Sequence, residues 1–535
     1  MIHRRRPLPD TVAQAPKSGW KKWGRRFLCI CGLLLAAVAT AVLIKISYPK
    51  PSHAWVAWLA LAPFAIAVTC LRRLWQSFFY SWFVGILLYA GLYEWIFITC
   101  FYGGGVSWGL SVAAWLGLSV LMALQVAIFG GSCYYLKKLT WMFPVLAAIG
   151  WVALEWLHET LASYVLGFPW FSLAYSQWNM PQVLQVASIT GVAGVSFLVA
   201  FTGISVGYAF VTTSLKRGVW QLLVAGLVFG GNYGYGQWVL NHQASRSLLR
   251  VQAAIMQPNI DQYKKWSPAF EQEIADTLSD MSRELEGKND LLVIWPESVT
   301  PGPVEEEPYL SWIQEIANRT SAWQLVGTNR EENNTQYVST ALFTPKGDIA
   351  AFYNKTHLVP FGEFIPFERQ VRAWLPQVEV LGELGSFTPG EKKQPLLQLE
   401  QVLFGTTICY ESIFSQLWKE QVRSGARFLV NSTNDAWFFD TDAPYQHLAV
   451  SVLRAVETRR TVLRAANTGI SAVITPTGEI TERAQLNTRA ILQAQVPLAL
   501  GEDFSFYVEW GHWFAWLCAA IYLTILISAM VFAYE

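Results

Sequence analysis

Three polar residues, Glu297, Lys355 and Cys409, each follow a short apolar run that is typical of a β-strand. Acyl transfer needs a nucleophile, a base that deprotonates it, and a cation or N–H donors where negative charge develops on the carbonyl oxygen. A cysteine, a glutamate and a lysine can fill these roles in that order. We therefore predict acyl chemistry on Cys409, with Glu297 as the base and Lys355 as the stabilising cation.

The residues next to the strand ends support these roles. Pro296 stops the strand ladder and fixes the turn that projects Glu297. Cys409 is followed by Tyr410-Glu411-Ser412, a plausible helix start. A thiol between a strand end and a helix N-terminus, beside a lysine, has its pKa lowered from about 8.5 toward neutrality. We therefore expect Cys409 to be a reactive thiolate.

Cys409 is the only cysteine outside the long apolar runs. The six others are Cys29, Cys31, Cys70, Cys100, Cys133 and Cys518. Cysteines in apolar runs behave by default as small hydrophobic residues. The soluble part therefore offers neither a disulfide framework nor a CxxC metal site, and we expect no metal and no organic cofactor.

The composition indicates a membrane protein. Of 535 residues, 53% are hydrophobic and only 14% are charged, whereas globular proteins average roughly 25% charged residues. The formal net charge of +1 provides no basic field, so nucleic acid is excluded as a partner. A membrane-crossing helix needs about 20 apolar residues. Eight runs qualify, near 27–46, 54–71, 77–101, 107–130, 141–160, 184–211, 218–240 and 509–533.

Lysine and arginine in the short connections predict the orientation, because positively charged loops stay cytoplasmic. They are concentrated at Arg4, Arg5, Arg6, Lys17, Lys21, Lys22, Arg25, Arg26, Arg72, Arg73, Lys137, Lys138, Lys216 and Arg217. The opposite loops hold only Lys45 and Lys50. We predict a cytoplasmic basic head (1–26), seven spans (27–240), an extracytoplasmic catalytic domain (241–508) and a last span (509–535). Residues 1–41 can also be interpreted as a signal peptide, which would leave the later segments on the same side.

The region after Arg250 alternates short β-rich runs with helical segments, which predicts an α/β domain with a buried sheet. Helical spacing marks 271–288 and 443–460. The predicted strands are 251–256, 291–295, 324–328, 341–344, 349–353, 402–408, 427–430, 462–465 and 471–475.

The Glu297, Lys355 and Cys409 set resembles the nitrilase superfamily, whose members carry these residue types in this chain order on an αββα sandwich. The spacings of 58 and 54 residues suit that fold. Combined with eight spans, the chain resembles the apolipoprotein N-acyltransferase family, which completes bacterial lipoprotein maturation. The segment from Lys355 to Glu363 is the most specific part of this likeness, and Gly167-Phe168-Pro169-Trp170 extends it. The long basic head is less typical.

The resemblance implies the reaction and its partners. A phospholipid is the acyl donor, and the thiolate attacks its acyl ester to give a thioester. The acceptor is the α-amine of the diacylglyceryl-modified N-terminal cysteine of an apolipoprotein. The enzyme acts in the bilayer of the bacterial inner membrane, with the catalytic domain on the periplasmic side, and we expect a monomer.

The resemblance also implies supporting residues. Glu411 is expected to orient Lys355, and Glu363 to share the proton inventory or gate the site. Tyr410, through its hydroxyl or its backbone N–H, could help to hold the oxyanion. Exposed aromatic residues mark ligand or membrane contact, and the substrate-binding residues expected here are Trp266, Phe361 and Phe364.

Other interpretations stay open on sequence alone. His357 or His447 could form a Cys–His pair, as in thiol proteases, although this leaves Glu297 and Lys355 without roles. The chain could be a membrane-tethered nitrilase-type amidase, or an acyltransferase with another acceptor. It could also be a transporter or receptor with an extracytoplasmic binding domain, or a pseudoenzyme scaffold.

Overall fold

The computed structural model describes residues 19–163, 168–242, 249–288, 291–374, 387–499 and 503–534. Most of the predicted basic head, residues 1–18, lies outside this part of the chain. The described chain has an apolar helical region, then an α/β domain, then a C-terminal helix. This order follows from the sequence, because long uninterrupted apolar runs give way after Arg250 to short alternating ones.

Each of the eight predicted apolar runs is occupied by helix. The helices of this region are Gly19–Ser47, Ala54–Ala60, Ala62–Cys70, Leu74–Leu92, Glu94–Ile98, Trp108–Leu136, Phe143–Ala162, Pro181–Leu184, Ala187–Thr190, Val192–Val211 and Leu215–His242, with Trp513–Tyr534 at the C-terminus. The second run is broken at Leu61, and Pro63 stands in the first turn of the helix that follows. Proline is tolerated there because the N–H groups of a first turn have no partner within the helix.

Fewer than eight of these runs meet a test of length and apolarity for crossing a membrane. Within the described residues, four stretches pass: Arg26–Ser47, Trp108–Ala162, Val192–Val211 and Trp513–Val531. A fifth passes if Leu74–Leu92 and Glu94–Gly103, bent by 54° at their junction, form one span. Trp108–Ala162 is 55 residues long and holds two helices. The eight crossings and the domain boundaries based on them stay predictions.

The α/β domain contains two six-stranded sheets. The strands are β1 Arg250–Gln257, β2 Leu291–Ile294, β3 Trp323–Glu332, β4 Thr335–Phe343, β5 Ile349–Asn354, β6 Leu397–Leu399, β7 Val402–Ile408, β8 Leu429–Thr433, β9 Val462–Ala466, β10 Ala472–Ile474, β11 Ile480–Arg483 and β12 Ala490–Pro497. One sheet has the order β12-β1-β2-β3-β4-β5, and the other β11-β10-β9-β8-β7-β6. All nine predicted strands are present. The three that were not predicted, β6, β11 and β12, are sheet edges with exposed positions and little apolar signal.

The two sheets pack face to face, and helices cover their outer faces. Side chains from both sheets, including Ile294 and Leu325 from one and Phe404 and Val430 from the other, form a core between them. Helices Glu271–Arg283 and Tyr309–Thr320 pack on the first sheet. Helices Ser415–Arg423 and Ala443–Thr458 lie on the outer side of the second. This is the predicted αββα sandwich.

The helical region packs directly on the α/β domain. Buried residues of Ser415–Arg423 and Ala443–Thr458 share one apolar cluster with the helices of the N-terminal region. Polar contacts reinforce the junction: Trp170 Nε1 donates to Gln446 Oε1 at 2.8 Å, and Lys45 Nζ lies 2.5 Å from a carboxylate oxygen of Asp442. The helix layer of the second sheet therefore forms the contact between the α/β domain and the apolar helices.

Candidate active site

Strand ends bring the predicted residues together. Glu297 lies three residues beyond β2, and Lys355 directly follows β5. These two strands run in the same direction in one sheet, because β2 is parallel to β3 and β5 is separated from β3 by one antiparallel strand. Cys409 directly follows β7 of the facing sheet. The three side chains therefore meet at one edge of the sandwich.

The Glu297 turn lies against the sheet because position 327 of β3 is glycine. A Cβ on Gly327 would stand 2.2 Å from the carbonyl oxygen of Pro296 and 2.5 Å from the Cα of Glu297. Val299 N–H also donates to the carbonyl of Gly327 at 2.8 Å. Any larger residue at 327 would therefore push the catalytic carboxylate away from its partners.

Lys355 bridges two carboxylates. Its Nζ lies 3.0 Å from Glu297 Oε1 and 2.5 Å from Glu363 Oε1. The side chain of Lys355 is 0% exposed, and those of Glu297 and Glu363 are 8% and 15% exposed. The other carboxylate oxygens accept backbone N–H groups, from Asn434 to Glu297 at 3.0 Å and from Val359 to Glu363 at 2.8 Å. The predicted base, cation and second glutamate thus form one buried cluster.

The charges of this cluster keep the lysine protonated. Burial alone would lower the pKa of Lys355, but the carboxylates of Glu297 and Glu363 outweigh burial and hold that pKa well above its ordinary value. Burial raises the pKa of Glu363, and Lys355 opposes the rise. Lys355 is therefore an ammonium at neutral pH, as a group that stabilises an oxyanion must be.

The expected low pKa of Cys409 is wrong. Burial raises the pKa of the thiol, the charge of Glu297 raises it further, and the opposing effect of Lys355 is smaller. Sequence spacing indicated both a lysine and a carboxylate near the sulfur but could not show that burial and the carboxylate outweigh the effect of the lysine on the pKa. The free site therefore holds a thiol, and its proton must leave as the sulfur attacks.

Cys409 also has a strained backbone, with φ of +50°. This left-handed region is unfavourable for a residue that carries a Cβ, and such strain is commonly found at active sites. Cys409 lies at the junction between β7 and the short 3₁₀ helix Cys409–Ile413. The abrupt change of direction presents the sulfur at the strand end.

Glu411, expected to orient Lys355, holds residues on both sides of Lys355 in the chain and does not contact the ammonium itself. Its carboxylate is 0% exposed and accepts hydrogen bonds from five donors. They are Thr356 N at 2.6 Å, Thr356 Oγ1 at 2.7 Å, Ile408 N at 2.8 Å, Tyr353 Oη at 3.1 Å and His357 N at 3.2 Å. These donors flank Lys355 and Cys409 in the chain. Glu411 therefore fixes the two backbone segments relative to each other.

The ring of Tyr410 is buried among aromatic side chains. It stacks on Phe168 at 5.7 Å between ring centroids and meets Phe414 edge to face at 5.3 Å. Phe168 belongs to the segment preceding the predicted sixth span, so the residue next to the nucleophile contacts the helical region. This packing leaves the backbone N–H of Tyr410 as the better candidate for an oxyanion donor.

The expected substrate-binding aromatics are at the surface of the catalytic domain. Trp266 is 45% exposed and Phe361 is 49% exposed, while Phe364 is half-buried. Phe361 has a φ of +62°, and its N–H donates to the carbonyl of Phe364 at 2.7 Å. Glu363 belongs to this turn, so the turn adjoins the buried cluster around Lys355.

Lys265 is a site residue that the sequence did not reveal. Its side chain is buried, and its Nζ donates to the backbone carbonyl of Glu297 at 3.1 Å. Burial lowers the pKa of Lys265 to about 7, although the charge of Glu297 opposes the fall. The neighbouring Lys264 is exposed and pairs with Glu273. Two adjacent lysines look equivalent in sequence, and only the close Glu297 turn distinguishes them.

The two histidines of the alternative Cys–His arrangement use their ring nitrogens elsewhere. His447 Nε2 lies 3.1 Å from the backbone carbonyl oxygen of Cys409. His357 Nδ1 lies 3.0 Å from Thr356 Oγ1, and its ring stacks on Phe414. These contacts disfavour a histidine base. Across the residues with described positions, no group of three or more His, Cys, Asp or Glu side chains is arranged to hold a metal ion.

Comparison with known proteins agrees with this geometry. The carbon-nitrogen hydrolase family model matches residues 252–505, and the model of the apolipoprotein N-acyltransferase N-terminal domain matches residues 40–205. An apolipoprotein N-acyltransferase of Geobacter metallireducens is 36% identical over 91% of this chain and 93% of its own length. Relatives of the same name from Methylococcus capsulatus and Gloeobacter violaceus are each 31% identical, over 91% and 92% of this chain and 94% of their own. Since the likeness extends through both the helical and the catalytic parts, the chain belongs to the apolipoprotein N-acyltransferase family of the nitrilase superfamily.

Proposed function

We propose that this chain moves a fatty acyl group from a phospholipid to the N-terminal amine of a diacylglyceryl-modified cysteine on an apolipoprotein. The reaction runs in two half-reactions through an acyl thioester on Cys409. The observation that carries the proposal is the buried cluster in which Lys355 joins Glu297 and Glu363 at 3.0 and 2.5 Å, with Cys409 close enough for the charges of Glu297 and Lys355 to affect its pKa.

In the first half-reaction, the sulfur of Cys409 attacks the ester carbonyl of the phospholipid while Glu297 accepts the thiol proton. The high pKa of the thiol supports a proton transfer that accompanies the attack. Lys355 stabilises the oxyanion, together with backbone N–H groups such as that of Tyr410. The C–O bond then breaks, the protonated Glu297 returns the proton to the departing alkoxide, and a lysophospholipid leaves.

In the second half-reaction, the free amine of the acceptor attacks the thioester carbonyl. Glu297 accepts a proton from the nitrogen as the C–N bond forms, and Lys355 again stabilises the oxyanion. The C–S bond breaks and the sulfur recovers its proton from Glu297. An amide is the product, and the enzyme regains its starting protonation state. One carboxylate can serve both half-reactions because in each it accepts a proton from the attacking group and returns it to the leaving group.

Glu363 completes the charge balance of the site. Lys355 is protonated and cannot act as the base, so we assign the proton exchange to Glu297, and Glu363 anchors the other side of the ammonium at 2.5 Å. When Glu297 becomes protonated in the reaction, Glu363 still holds the lysine in place. This supports a positioning role for Glu363 in addition to any gating by the turn that carries it.

The lipid substrates reach the site from the bilayer. Four or five stretches of the described chain are long and apolar enough to cross a membrane, and the family supports a membrane protein. The exposed rings of Trp266 and Phe361, with Phe367 at 62% exposure, provide an apolar surface beside the catalytic cluster. We assign the protein to the bacterial inner membrane as a monomer, with the catalytic domain on the periplasmic side.

The decisive experiment traps the thioester. The purified chain in detergent is incubated with phospholipid bearing a labelled acyl group, and the label on the protein is measured before and after hydroxylamine treatment. The expected result is one hydroxylamine-sensitive acyl group on Cys409 that passes to an added diacylglyceryl peptide. Cys409→Ala should remain unlabelled, while the matched variant Cys133→Ala should label normally.

The outcomes separate the competing activities. Absence of label on the unaltered chain would overturn the proposal in favour of an amidase that acts on small substrates. A thioester that forms but never passes to the diacylglyceryl peptide would indicate a different acceptor.

A further inference from the structure

A buried polar network that takes no part in the proposed chemistry contacts the backbone of Cys409. His447 Nε2 lies 3.1 Å from the carbonyl oxygen of Cys409, and His447 Nδ1 lies 2.9 Å from Asp435 Oδ1. A guanidinium nitrogen of Arg464 lies 2.6 Å from Asp435 Oδ2, and another donates to Asn431 Oδ1 at 2.7 Å. His447, Asp435, Arg464 and Asn431 are all 1% exposed or less.

This network contacts the turn Cys409–Ile413 through His447. The Nε2 of His447 lies 3.1 Å from the carbonyl oxygen of Cys409 and 2.8 Å from Ser412 Oγ. Thr433 Oγ1 donates to Asp435 Oδ1 at 3.1 Å, which joins the end of β8 to the same network. The histidine therefore holds Cys409 and the turn that Cys409 begins.

Cys409 needs such support because of its strained backbone, with φ of +50°. Conformations of this kind persist only when the surroundings determine them strongly. Without His447 as a partner for this turn, the peptide after β7 could relax toward an ordinary strand or helix conformation. That relaxation would turn the sulfur away from the Glu297 and Lys355 cluster.

The proton position on His447 decides whether the ring can give this support. With the proton on Nε2, the ring donates to the carbonyl of Cys409, and Nδ1 accepts from Arg464, whose nitrogen lies 3.1 Å away. With the proton on Nδ1, the ring donates to Asp435, and Nε2 accepts from the hydroxyl of Ser412 at 2.8 Å. Asp435 can only accept and lies closer to Nδ1 than Arg464 does, so the second arrangement is favoured and the ring holds the turn after β7 through Ser412.

The helical region packs against the same histidine. The ring of Trp170 lies 5.3 Å from the ring of His447. Trp170 Nε1 donates to the neighbouring Gln446 at 2.8 Å, and Gln446 Nε2 donates to the carbonyl of Leu92 at 3.3 Å. The segment before the predicted sixth span thus packs against the residue that contacts the nucleophile.

We propose that His447, held by Asp435 and Arg464, is a positioning residue that keeps Cys409 in its left-handed conformation with the sulfur toward Glu297 and Lys355. The inference rests on the proposed function, in which Cys409 forms the thioester. It gives His447 an indirect part in catalysis and makes the docked helical region a support for the geometry of the nucleophile.

The test compares two substitutions that differ in their ability to hydrogen-bond to this turn. The side-chain amide of His447→Gln can accept from Ser412 Oγ or donate to the Cys409 carbonyl, whereas His447→Leu can do neither. A misplacement of about 1 Å at a reacting atom can cost on the order of 100-fold in rate. We expect His447→Leu to lower kcat by about 10- to 100-fold with KM for phospholipid unchanged, and His447→Gln to recover most of the loss.

Three further measurements keep the result interpretable. The unfolding midpoint in detergent identifies a variant that fails to fold. If His447→Leu fails to fold, kcat is measured in His447→Gln and Asp435→Asn instead. His242→Leu, an exposed histidine, serves as the control and should match the unaltered chain. The rate at which iodoacetamide alkylates Cys409 reports the orientation of the sulfur without any lipid, and it should change in His447→Leu but little in His447→Gln.

Two results would overturn the inference. Equal loss of kcat in the glutamine and leucine variants would mean that the hydrogen bonds between His447 and the turn are not what matters. An unchanged kcat in His447→Leu would mean that Cys409 needs no such support. If the unaltered chain formed no acyl-enzyme, the proposed function would fail instead, and the alkylation rates would still report on the role of His447.

Discussion

The ammonium of Lys355 donates to Glu297 across 3.0 Å in a site where the lysine side chain is fully buried. Each charge stabilises the other, because a buried ion without a partner is strongly unfavourable. The pair therefore serves structure as well as chemistry, and a substitution on either side changes both. Tests of the catalytic roles must accordingly separate lost reactivity from lost folding.

Glu297→Gln should abolish most acyl transfer while keeping the shape of the side chain. The glutamine amide cannot accept the thiol proton, and general base catalysis contributes about 10²- to 10⁴-fold. We expect acyl-enzyme formation to slow by a factor in that range, measured as hydroxylamine-sensitive label over time. Glu305→Gln, which alters a carboxylate paired with Arg330, is the matched control. A Glu297→Gln variant with an undiminished rate would rule Glu297 out as the base.

The thiol of Cys409 should alkylate slowly at neutral pH. Burial and Glu297 raise its pKa above the ordinary value of 9.0, so the thiolate fraction is small until the pH exceeds that value. The iodoacetamide rate, measured on the Cys409 peptide by mass spectrometry, should still be rising above pH 9. Glu297→Gln removes a carboxylate and should shift the curve to lower pH. A plateau below pH 8 in the unaltered chain would contradict the raised pKa.

The sequence was sufficient to predict the identity and grouping of the three central residues. Each follows a β-rich run, and the carboxyl ends of parallel strands meet at one sheet edge, so position along the chain implied proximity in space. The sandwich followed from the same runs, since nine of its twelve strands have clear apolar patterns. Only edge strands such as β11, with exposed positions, escaped prediction.

What the sequence could not give was the environment of each group. The burial of Lys265 depends on the Glu297 turn, whose close approach requires Gly327 on another strand. The pKa of Cys409 depends on which of two opposite charges acts more strongly on the sulfur. Likewise, the five donors of Glu411 come from two segments that meet only in the fold. The spacing of two residues along the chain does not show how deeply each is buried or which neighbouring charge acts more strongly on it.

Glu411→Ala should destabilise the catalytic domain strongly. The change leaves five donors, among them Thr356 N and Ile408 N, without their acceptor. A buried donor without a partner costs about 1–3 kcal/mol, so the total loss should exceed about 3 kcal/mol even if water satisfies some of them. The unfolding midpoint in detergent measures this loss. Glu420→Ala, on the exposed face of a nearby helix, should change it little, and equal effects of the two substitutions would contradict the role assigned to Glu411.

Lys265→Met should remove a pH dependence of stability that only a buried lysine can produce. The pKa of Lys265 is lowered to about 7 in the folded protein from an ordinary value of 10.5. Between these two values the unfolded chain holds a proton that the folded chain lacks, so this lysine makes stability rise with pH, by at most about 1.4 kcal/mol per pH unit. Below pH 7 both states are protonated, and the full cost of burying the charge is present.

The measurement is the difference in unfolding free energy between the unaltered chain and Lys265→Met at pH 7, 8, 9 and 10. That difference should move in favour of the unaltered chain as the pH rises, because its buried lysine becomes neutral. Lys264→Met is the matched control, since Lys264 is exposed and should give a difference that barely changes over the same range. A flat difference for Lys265→Met would mean that the ammonium beside Glu297 stays charged throughout, and Lys265 would then be a second permanent cation of the active site.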